Sequence, residues 1–247
     1  MAISPASFAQ KDSKLFDKLL HIDKLDTLPY RLLKPANPNL ESPVPLVIFL
    51  HGAGERGREN EVQIKHISNL FLEPKNRSRF PCYVVAPQCP KNKSWTEYDK
   101  SENQMSADPS RPMEMLIQLL DQILKEYPID QNRIYVTGLS MGGYGTWDLL
   151  ARFPHRFAAA VPICGGGDVN IAPKIKHIPV WAFHGARDNV VPPMQSRMMI
   201  KALQDAGGLP GYTEYPDIEH NSWGHAYREP HLMPWLFEQK LPDKKQN

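Results

Sequence analysis

Short apolar runs alternate with longer amphipathic segments along most of this chain. Six of these runs are bounded by Gly or Pro and are too short for helices, and most are rich in Val, Ile or aromatic residues. The predicted strands are Pro45–Leu50, Tyr83–Ala86, Ile134–Thr137, Ala158–Ile163, Val180–Phe183 and a segment around Tyr212–Tyr215. Near-continuous apolarity is typical of strands that a parallel sheet buries on both faces.

Amphipathic segments lie between these runs. Apolar side chains between residues 113 and 127 recur at the spacing of one helical face, and Pro112 sits near the start. The predicted helices are Met113–Tyr127, Met141–Phe153, Pro192–Ala206, Glu59–Leu72 and Pro230–Lys240. Alternating strands and helices predict an α/β fold, in which a mostly parallel central sheet carries helices on both faces. The segments Leu15–Ile22 and Pro29–Leu33 predict an antiparallel hairpin at one edge of that sheet.

Length and composition fit one domain. The 247 residues, 41% hydrophobic and 23% charged, predict a single unit over residues 1–247, with residues 1–12 as a flexible N-terminal segment. The 29 basic and 27 acidic residues leave a net charge of +2, which predicts no strong attraction to nucleic acid or to an anionic membrane. The N-terminus lacks the pattern of an intact signal peptide, which favours a cytoplasmic protein, although Ala6–Gln10 also fits the remnant of a trimmed one.

The chain has three cysteines, so at least one is unpaired. Cys82 and Cys89 bracket the predicted strand Tyr83–Ala86, which would hold them about 20 Å apart, too far for a disulfide. Cys164 ends another strand. We expect three buried free thiols, which suits a reducing compartment.

A candidate nucleophile follows the strand Ile134–Thr137. The sequence Gly138–Gly142 reads Gly-Leu-Ser-Met-Gly and opens a predicted helix. In a Gly-x-Ser-x-Gly turn between a strand and a helix, the small residues prevent clashes and the serine hydroxyl is exposed above the sheet. Ser140 is therefore the predicted nucleophile, and the Met141 N–H, at the start of the helix, is a predicted donor to an oxyanion. The pattern alone is weak, and its support is the strand before it and the helix after it.

The segment His51–Gly54, with the sequence His-Gly-Ala-Gly, follows the strand Pro45–Leu50. Glycines after such a strand let the backbone approach a substrate closely, and Ala53 N–H is the predicted second oxyanion donor, with Gly54 next. His51 is interpreted as structural, hydrogen-bonding within its loop. The charged run Glu55–Arg58 fits equally a solvated surface or a wall beside the substrate.

A serine hydroxyl needs a histidine to take its proton, and that imidazole needs a carboxylate to fix its tautomer. Asp188 lies just past the strand Val180–Phe183, at the same sheet edge as Ser140, and is the predicted acid. His220 follows the last strand and is the predicted base, which gives the chain order Ser, Asp, His. The weaker candidates are Asp168 and Asp217 for the acid and His225, His231, His184 and His177 for the base, with His225 as the nearest rival of His220.

With these parts placed, the chain resembles the predicted-peptidase and carboxylesterase branch of the α/β-hydrolases, near dienelactone-hydrolase and phospholipase/carboxylesterase relatives. The residues that carry the resemblance are His51–Gly57, Ala86–Pro90 with Trp95, Gly138–Trp147 and His220–Trp223. The resemblance implies an α/β-hydrolase fold and hydrolysis of carboxylic esters through an acyl-enzyme, without a cofactor or a metal. It also suggests Gln88 and Trp95 near the substrate pocket. Similar domains act on aryl, feruloyl or acetyl esters of plant polysaccharides, so the expected partner is a small-molecule or polysaccharide-linked ester.

No large lid is expected, because only Gly165–Ile178 separates two strands where this fold commonly inserts a cap. Trp95, Tyr98 and Trp223 fall in loops at the catalytic edge, where they could stack on an aromatic or sugar group. Trp147 and Trp181 are predicted core residues.

Three hypotheses follow for function. The first is a carboxylesterase for short-chain or aromatic acyl esters. The second is a serine peptidase of the prolyl-oligopeptidase type, without the large gating domain of such enzymes. The third is a non-catalytic binding protein of the same fold, which would be expected to have lost a triad residue, whereas none is lost here.

Overall fold

The computed structural model describes residues 13–37, 42–99, 101–102 and 104–242. The N-terminal segment 1–12, expected to be flexible, lies outside the described residues. The strands are β1 Phe16–Ile22, β2 Thr27–Leu33, β3 Val44–Leu50, β4 Tyr83–Pro87, β5 Tyr98–Asp99, β6 Gln104–Met105, β7 Ile129–Leu139, β8 Ala159–Ile163, β9 Trp181–Gly185 and β10 Gly211–Tyr215. The helices are α1 Ser68–Leu72, α2 Pro74–Arg79, α3 Arg111–Glu126, α4 Met141–Arg152, α5 Ala172–Ile175, α6 Met194–Asp205, α7 Trp223–Ala226 and α8 Leu232–Glu238.

Eight strands form one sheet in the order β1-β2-β4-β3-β7-β8-β9-β10. Every neighbouring pair from β4 to β10 is parallel, while β2 pairs antiparallel with both β1 and β4. Only β2 therefore runs against the other seven strands of this sheet. The prediction of a mostly parallel sheet is confirmed, and so is the hairpin at its edge.

Helices cover both faces of the sheet, as the apolar runs predict. The side chains of β3 alternate between two core clusters. Leu46 and Ile48 pack in the cluster that includes Met113 and Leu116 of α3. Val47 and Phe49 pack in the opposite cluster, which includes Phe71 of α1 and Leu232 of α8. All seven residues of β3 are buried, because both faces of the strand are covered.

The predicted helix Glu59–Leu72 is wrong as a single element. The segment contains a short 3-10 turn at Val62–Ile64 and then α1. Its start cannot be helical because Asn60 has a positive φ of 57° and its side chain donates to the carbonyls of Leu19 and Tyr30. The apolar spacing identified the buried residues of this segment, but it did not show that Asn60 interrupts the predicted helix.

The connection between β8 and β9 is short, as predicted. It holds a 3-10 turn at Val169–Ile171 and the one-turn helix α5, and no inserted cap. The small hairpin β5–β6 was not predicted. It lies near the helix that follows Ser140, since the rings of Tyr98 and Tyr144 are 4.9 Å apart. Within the described part of the chain, no helix is long and apolar enough to cross a membrane.

Candidate active site

Ser140 occupies a sharp turn between β7 and α4. Its backbone has φ 52° and ψ −117°, an unfavourable conformation for a residue with a side chain. Its N–H donates to the Ile163 carbonyl at 2.9 Å, which anchors the turn to β8. A Cβ on Gly138 would lie 2.3 Å from the carbonyl oxygen of Gly142, and one on Gly142 would lie 1.9 Å from that of Leu50. The two glycines are therefore required sterically, as the motif predicts.

The three residues predicted to act together meet at the carboxyl edge of the sheet. His220 Nε2 lies 2.9 Å from Ser140 Oγ, and His220 Nδ1 lies 2.6 Å from Asp188 Oδ2. The other carboxylate oxygen, Oδ1, accepts from the N–H groups of Val190 and Val191, both at 2.9 Å. Asp188 is buried, and the backbone donors fix its rotamer because the loop folds around it.

Three of the weaker candidates lie away from Ser140. Asp217 forms an ion pair with Arg187 at the surface. His225 packs its ring on Tyr215, and His177 bonds the Pro154 carbonyl. None of these three is part of the Ser140 cluster.

His184 is the residue that sequence reasoning rejected and the structure brings into contact with the site. It ends up fully buried on β9, with Nε2 3.2 Å from Asp188 Oδ2. Chain order excluded it as the base, and correctly so, because Ser140 Oγ is bonded to His220. The signal that could have found it is its spacing, since His184 lies at the carboxyl end of the strand, four residues before the predicted acid.

His51 organises the loop after β3, as interpreted from the sequence. It is fully buried, its Nδ1 donates to the Gly52 carbonyl at 2.6 Å, and its Nε2 accepts from the Cys89 N–H at 2.9 Å. Burial lowers the pKa of His51 to about 4, so the imidazole is neutral at physiological pH. The prediction that His51 is structural is confirmed.

The two predicted oxyanion donors sit at equivalent positions. Ala53 is the first residue of a 3-10 turn, Ala53–Glu55, and Met141 is the first residue of α4. The first N–H groups of a helical turn have no partner within that turn, so they are available to a ligand. Ala53 is exposed, and Met141 is 7% exposed.

Gln88 and Trp95 do not line a cleft, which corrects the suggestion that they contact substrate. Both are 0% exposed. The Gln88 amide accepts from Asn60 N–H at 2.7 Å and donates to Glu55 O and to Glu59 Oε1, at 3.1 and 2.8 Å. The Trp95 indole N–H donates to the His51 carbonyl at 3.0 Å. Gln88 and Trp95 therefore stabilise the loop that carries Ala53.

Replacing Trp95 with Ala is expected to lower the free energy of unfolding by about 3–5 kcal/mol, because a fully buried indole and its hydrogen bond are lost. Urea denaturation would measure the change. The matched variant Trp223→Ala should cost clearly less, since Trp223 is only partly buried. Equal losses in the two variants would contradict the assignment of Trp95 to the core.

Trp223 does border the site. Its ring centroid lies 5.5 Å from that of His220, edge to face, and 5.4 Å from that of His66. A groove of about 640 Å³ extends from this point along α1, α2 and α8, and Trp223 and His66 line its near end. His66 in turn hydrogen-bonds Glu55 of the loop after β3 at 3.2 Å. Glu55 therefore holds a residue that lines the groove, whereas Arg58, 61% exposed, is solvated.

The thiols are buried and free, as expected for all three cysteines. Cys164 lies next to the site, where its sulfur, an Asp188 oxygen and a His220 nitrogen are within 4.8 Å of one another. Burial raises the pKa of the Cys164 thiol to about 12. The thiol therefore stays protonated at neutral pH and does not compete with Ser140 as a nucleophile.

The strand order, the serine elbow and the acid and base loops at one sheet edge define the α/β-hydrolase class. The chain aligns with the crystal structure of a thermostable esterase at a TM-score of 0.86 and 41% identity, over 93% of this chain and 64% of that one. A ferulic acid esterase aligns at a TM-score of 0.68 and 17% identity, over 90% of this chain and 96% of that one, which supports the fold alone.

Within that class, the chain belongs to the phospholipase/carboxylesterase family, whose sequence profile it matches over residues 36–229. It is 34% identical to a bifunctional acetylxylan esterase/xylanase of Neocallimastix patriciarum over 108 residues, which are 42% of this chain and 16% of that protein. It is 27% identical to poly(3-hydroxyalkanoate) depolymerase C of Paucimonas lemoignei over 169 residues, which are 66% of this chain and 38% of that protein. The resemblance to carboxylesterases that the motifs predict is confirmed, although the chain spans well under half the length of these two relatives.

Proposed function

We propose that this protein is a carboxylesterase that hydrolyses short-chain or aromatic acyl esters through an acyl-enzyme on Ser140. The observation that carries the proposal is the continuous hydrogen-bonded line from Ser140 Oγ through His220 to Asp188, with contacts of 2.9 and 2.6 Å. Its geometry is that of a nucleophile, a general base and a carboxylate that orients the base.

In the first half-reaction, Ser140 Oγ attacks the ester carbonyl while its proton passes to His220 Nε2. Asp188 accepts the His220 Nδ1 hydrogen bond, so the imidazole presents its unprotonated nitrogen to the serine and its cation is stabilised once it forms. The N–H groups of Ala53 and Met141 bind the oxyanion. When the tetrahedral intermediate collapses, the ester C–O bond breaks and His220 returns the proton to the departing alcohol.

In the second half-reaction, water attacks the acyl carbon and gives a proton to the same His220 nitrogen. Collapse breaks the bond to Ser140 Oγ, the proton returns to that oxygen, and the carboxylic acid leaves. Neither half-reaction needs a group beyond these side chains, backbone N–H donors and water.

The surroundings of Ser140 support an accessible substrate. The short β8–β9 connection holds no inserted cap, so a bulky alcohol can remain outside the protein on that side during acylation. The groove beside Trp223 offers polar and cationic side chains, including Lys65, Arg79 and Arg228, for a hydrophilic alcohol part. An aromatic ring at the near end suits a sugar or aryl group. These features favour a polysaccharide-linked or small polar ester over a long-chain lipid.

Parallel assays would test the proposal. We expect kcat/KM for p-nitrophenyl acetate and methyl ferulate to exceed that for a peptide p-nitroanilide by orders of magnitude. A preference for the anilide would overturn the esterase proposal in favour of a peptidase. Failure to turn over any of these substrates, together with no labelling by a fluorophosphonate, would indicate a non-catalytic protein of the same fold.

A further inference from the structure

Asp188 Oδ2 is shared by two imidazoles. His220 Nδ1 lies 2.6 Å from this oxygen, and His184 Nε2 lies 3.2 Å from it. The His184 side chain is 0% exposed and stands on β9, whereas Asp188 stands on the loop that follows. The proposed mechanism gives His184 no role, yet a buried polar ring at this point needs hydrogen-bond partners.

The partners of His184 place a proton on Nε2. This nitrogen lies 2.9 Å from the carbonyl of Val191, and a carbonyl only accepts, so Nε2 carries a proton. Nδ1 lies 2.7 Å from the hydroxyl of Ser196, and that hydroxyl donates to the Gly165 carbonyl at 2.9 Å. Burial lowers the pKa of His184. The Nε2 proton is directed at both Val191 O and Asp188 Oδ2.

We propose that His184 is a positioning residue, whose Nε2–H holds the outer oxygen of Asp188 at the place from which it orients His220. The proposal rests on the proposed esterase function. Oδ1 is fixed by two N–H groups of its own loop, Val190 and Val191. His184 gives Oδ2 a second contact besides the imidazole that Oδ2 has to orient. His184 ties Oδ2 to the sheet, because the ring stands on β9 and is itself held by Val191 and by Ser196 of α6.

The charged or titratable groups that act on His184 are Asp188, His220 and, from β10, Glu214. The contact with Asp188 uses the Nε2 proton, which the Val191 carbonyl fixes in place, so it does not depend on the state of Nδ1.

Two amide substitutions separate positioning from packing. The amide of His184→Gln reaches about as far as the ring Nε2 and can still donate to Asp188. The amide of His184→Asn is one methylene shorter, so it reaches the Ser196 side but not Asp188. For the Asn variant we expect kcat on p-nitrophenyl acetate to fall about 10- to 100-fold with KM unchanged, since misplaced catalytic groups slow chemistry rather than binding. The Gln variant should retain kcat within about threefold.

Thermal unfolding of both variants provides the control, because a purely structural residue would lower Tm and kcat together in both. Equal kcat in the Asn and Gln variants would overturn the proposal. The tautomer is tested in the unmodified protein, by ¹⁵N NMR of its imidazole groups at neutral pH. A proton on His184 Nε2 supports the proposal, and an Nε2 without a proton overturns it, whether or not the variants fold. Absence of all ester turnover in the unmodified protein would refute the function, while the NMR result would still report the His184 contact.

Discussion

Replacing Ser140 with Ala should reduce kcat for p-nitrophenyl acetate by about four to six orders of magnitude, because the acyl-enzyme can no longer form. The same variant should lose all labelling by a fluorophosphonate. Ser140 Oγ is the atom within 2.9 Å of the His220 base, and the buried thiol of Cys164 is protonated and does not replace it.

The fold of the Ser140→Ala variant should be intact. Alanine keeps a Cβ at the same strained φ of 52°, and the N–H bond from residue 140 to Ile163 involves only the backbone. Circular dichroism and Tm close to those of the unmodified protein would show this. Ser78→Ala, at an exposed serine of α2, serves as the control and should keep full activity and labelling. Labelling that persists in the Ser140→Ala variant would contradict the assignment of the nucleophile.

Much of the fold could be predicted from the sequence because burial constrains which residues a short segment can contain. A strand covered on both faces must be apolar throughout, so β3 and β8 are visible as runs, and glycines that touch a neighbouring backbone, such as Gly142, cannot vary without a clash. Asp188 and His220 could be placed because the ends of parallel strands share one edge. These inferences need only local pattern and strand direction.

The remaining features depend on contacts between distant segments. Gln88 and Trp95 belong to a motif beside the site, but their side chains turn inward to Asn60 and His51, and nothing in their own sequence sets that direction. The role of His184 was missed for a related reason. Its ring bonds residues 188, 191 and 196, which are brought back to β9 only when the loop folds around the acid.

Ser140 and Asp188 meet two different requirements of an esterase. No cap is inserted between β8 and β9, so substrates with different alcohol parts can approach Ser140, while the acid is buried and held from the loop and from the sheet. Selectivity should therefore reside in the groove residues His66 and Trp223. The efficiency of the chemical step should depend instead on the bonds to Asp188, which makes this carboxylate the most informative residue after the nucleophile.

Replacing Asp188 with Asn should lower kcat about 10⁴-fold at neutral pH while the fold is retained. The carboxylate accepts from two loop N–H groups at Oδ1 and from two imidazoles at Oδ2. An amide has one accepting oxygen, and the loop donors at Val190 and Val191 would keep it on the inner side. The amide nitrogen would then face His220 Nδ1 and donate to it, which forces the His220 proton onto Nε2. In that tautomer His220 cannot accept the serine proton, so attack is blocked. The amide nitrogen would also face the His184 Nε2–H, donor against donor, so the hydrogen bond from His184 is lost as well.

The surface variant Asp217→Asn is the matched control, because Asp217 is exposed and pairs with Arg187 of the loop after β9. It should keep kcat and KM for p-nitrophenyl acetate within about twofold, since isolated surface ion pairs contribute little. Steady-state kinetics of the two variants at neutral pH measure the contrast. If Asp188→Asn retained more than about a tenth of kcat, the tautomer of His220 would be set by something other than the acid, and the role of Asp188 in the proposed mechanism would be wrong.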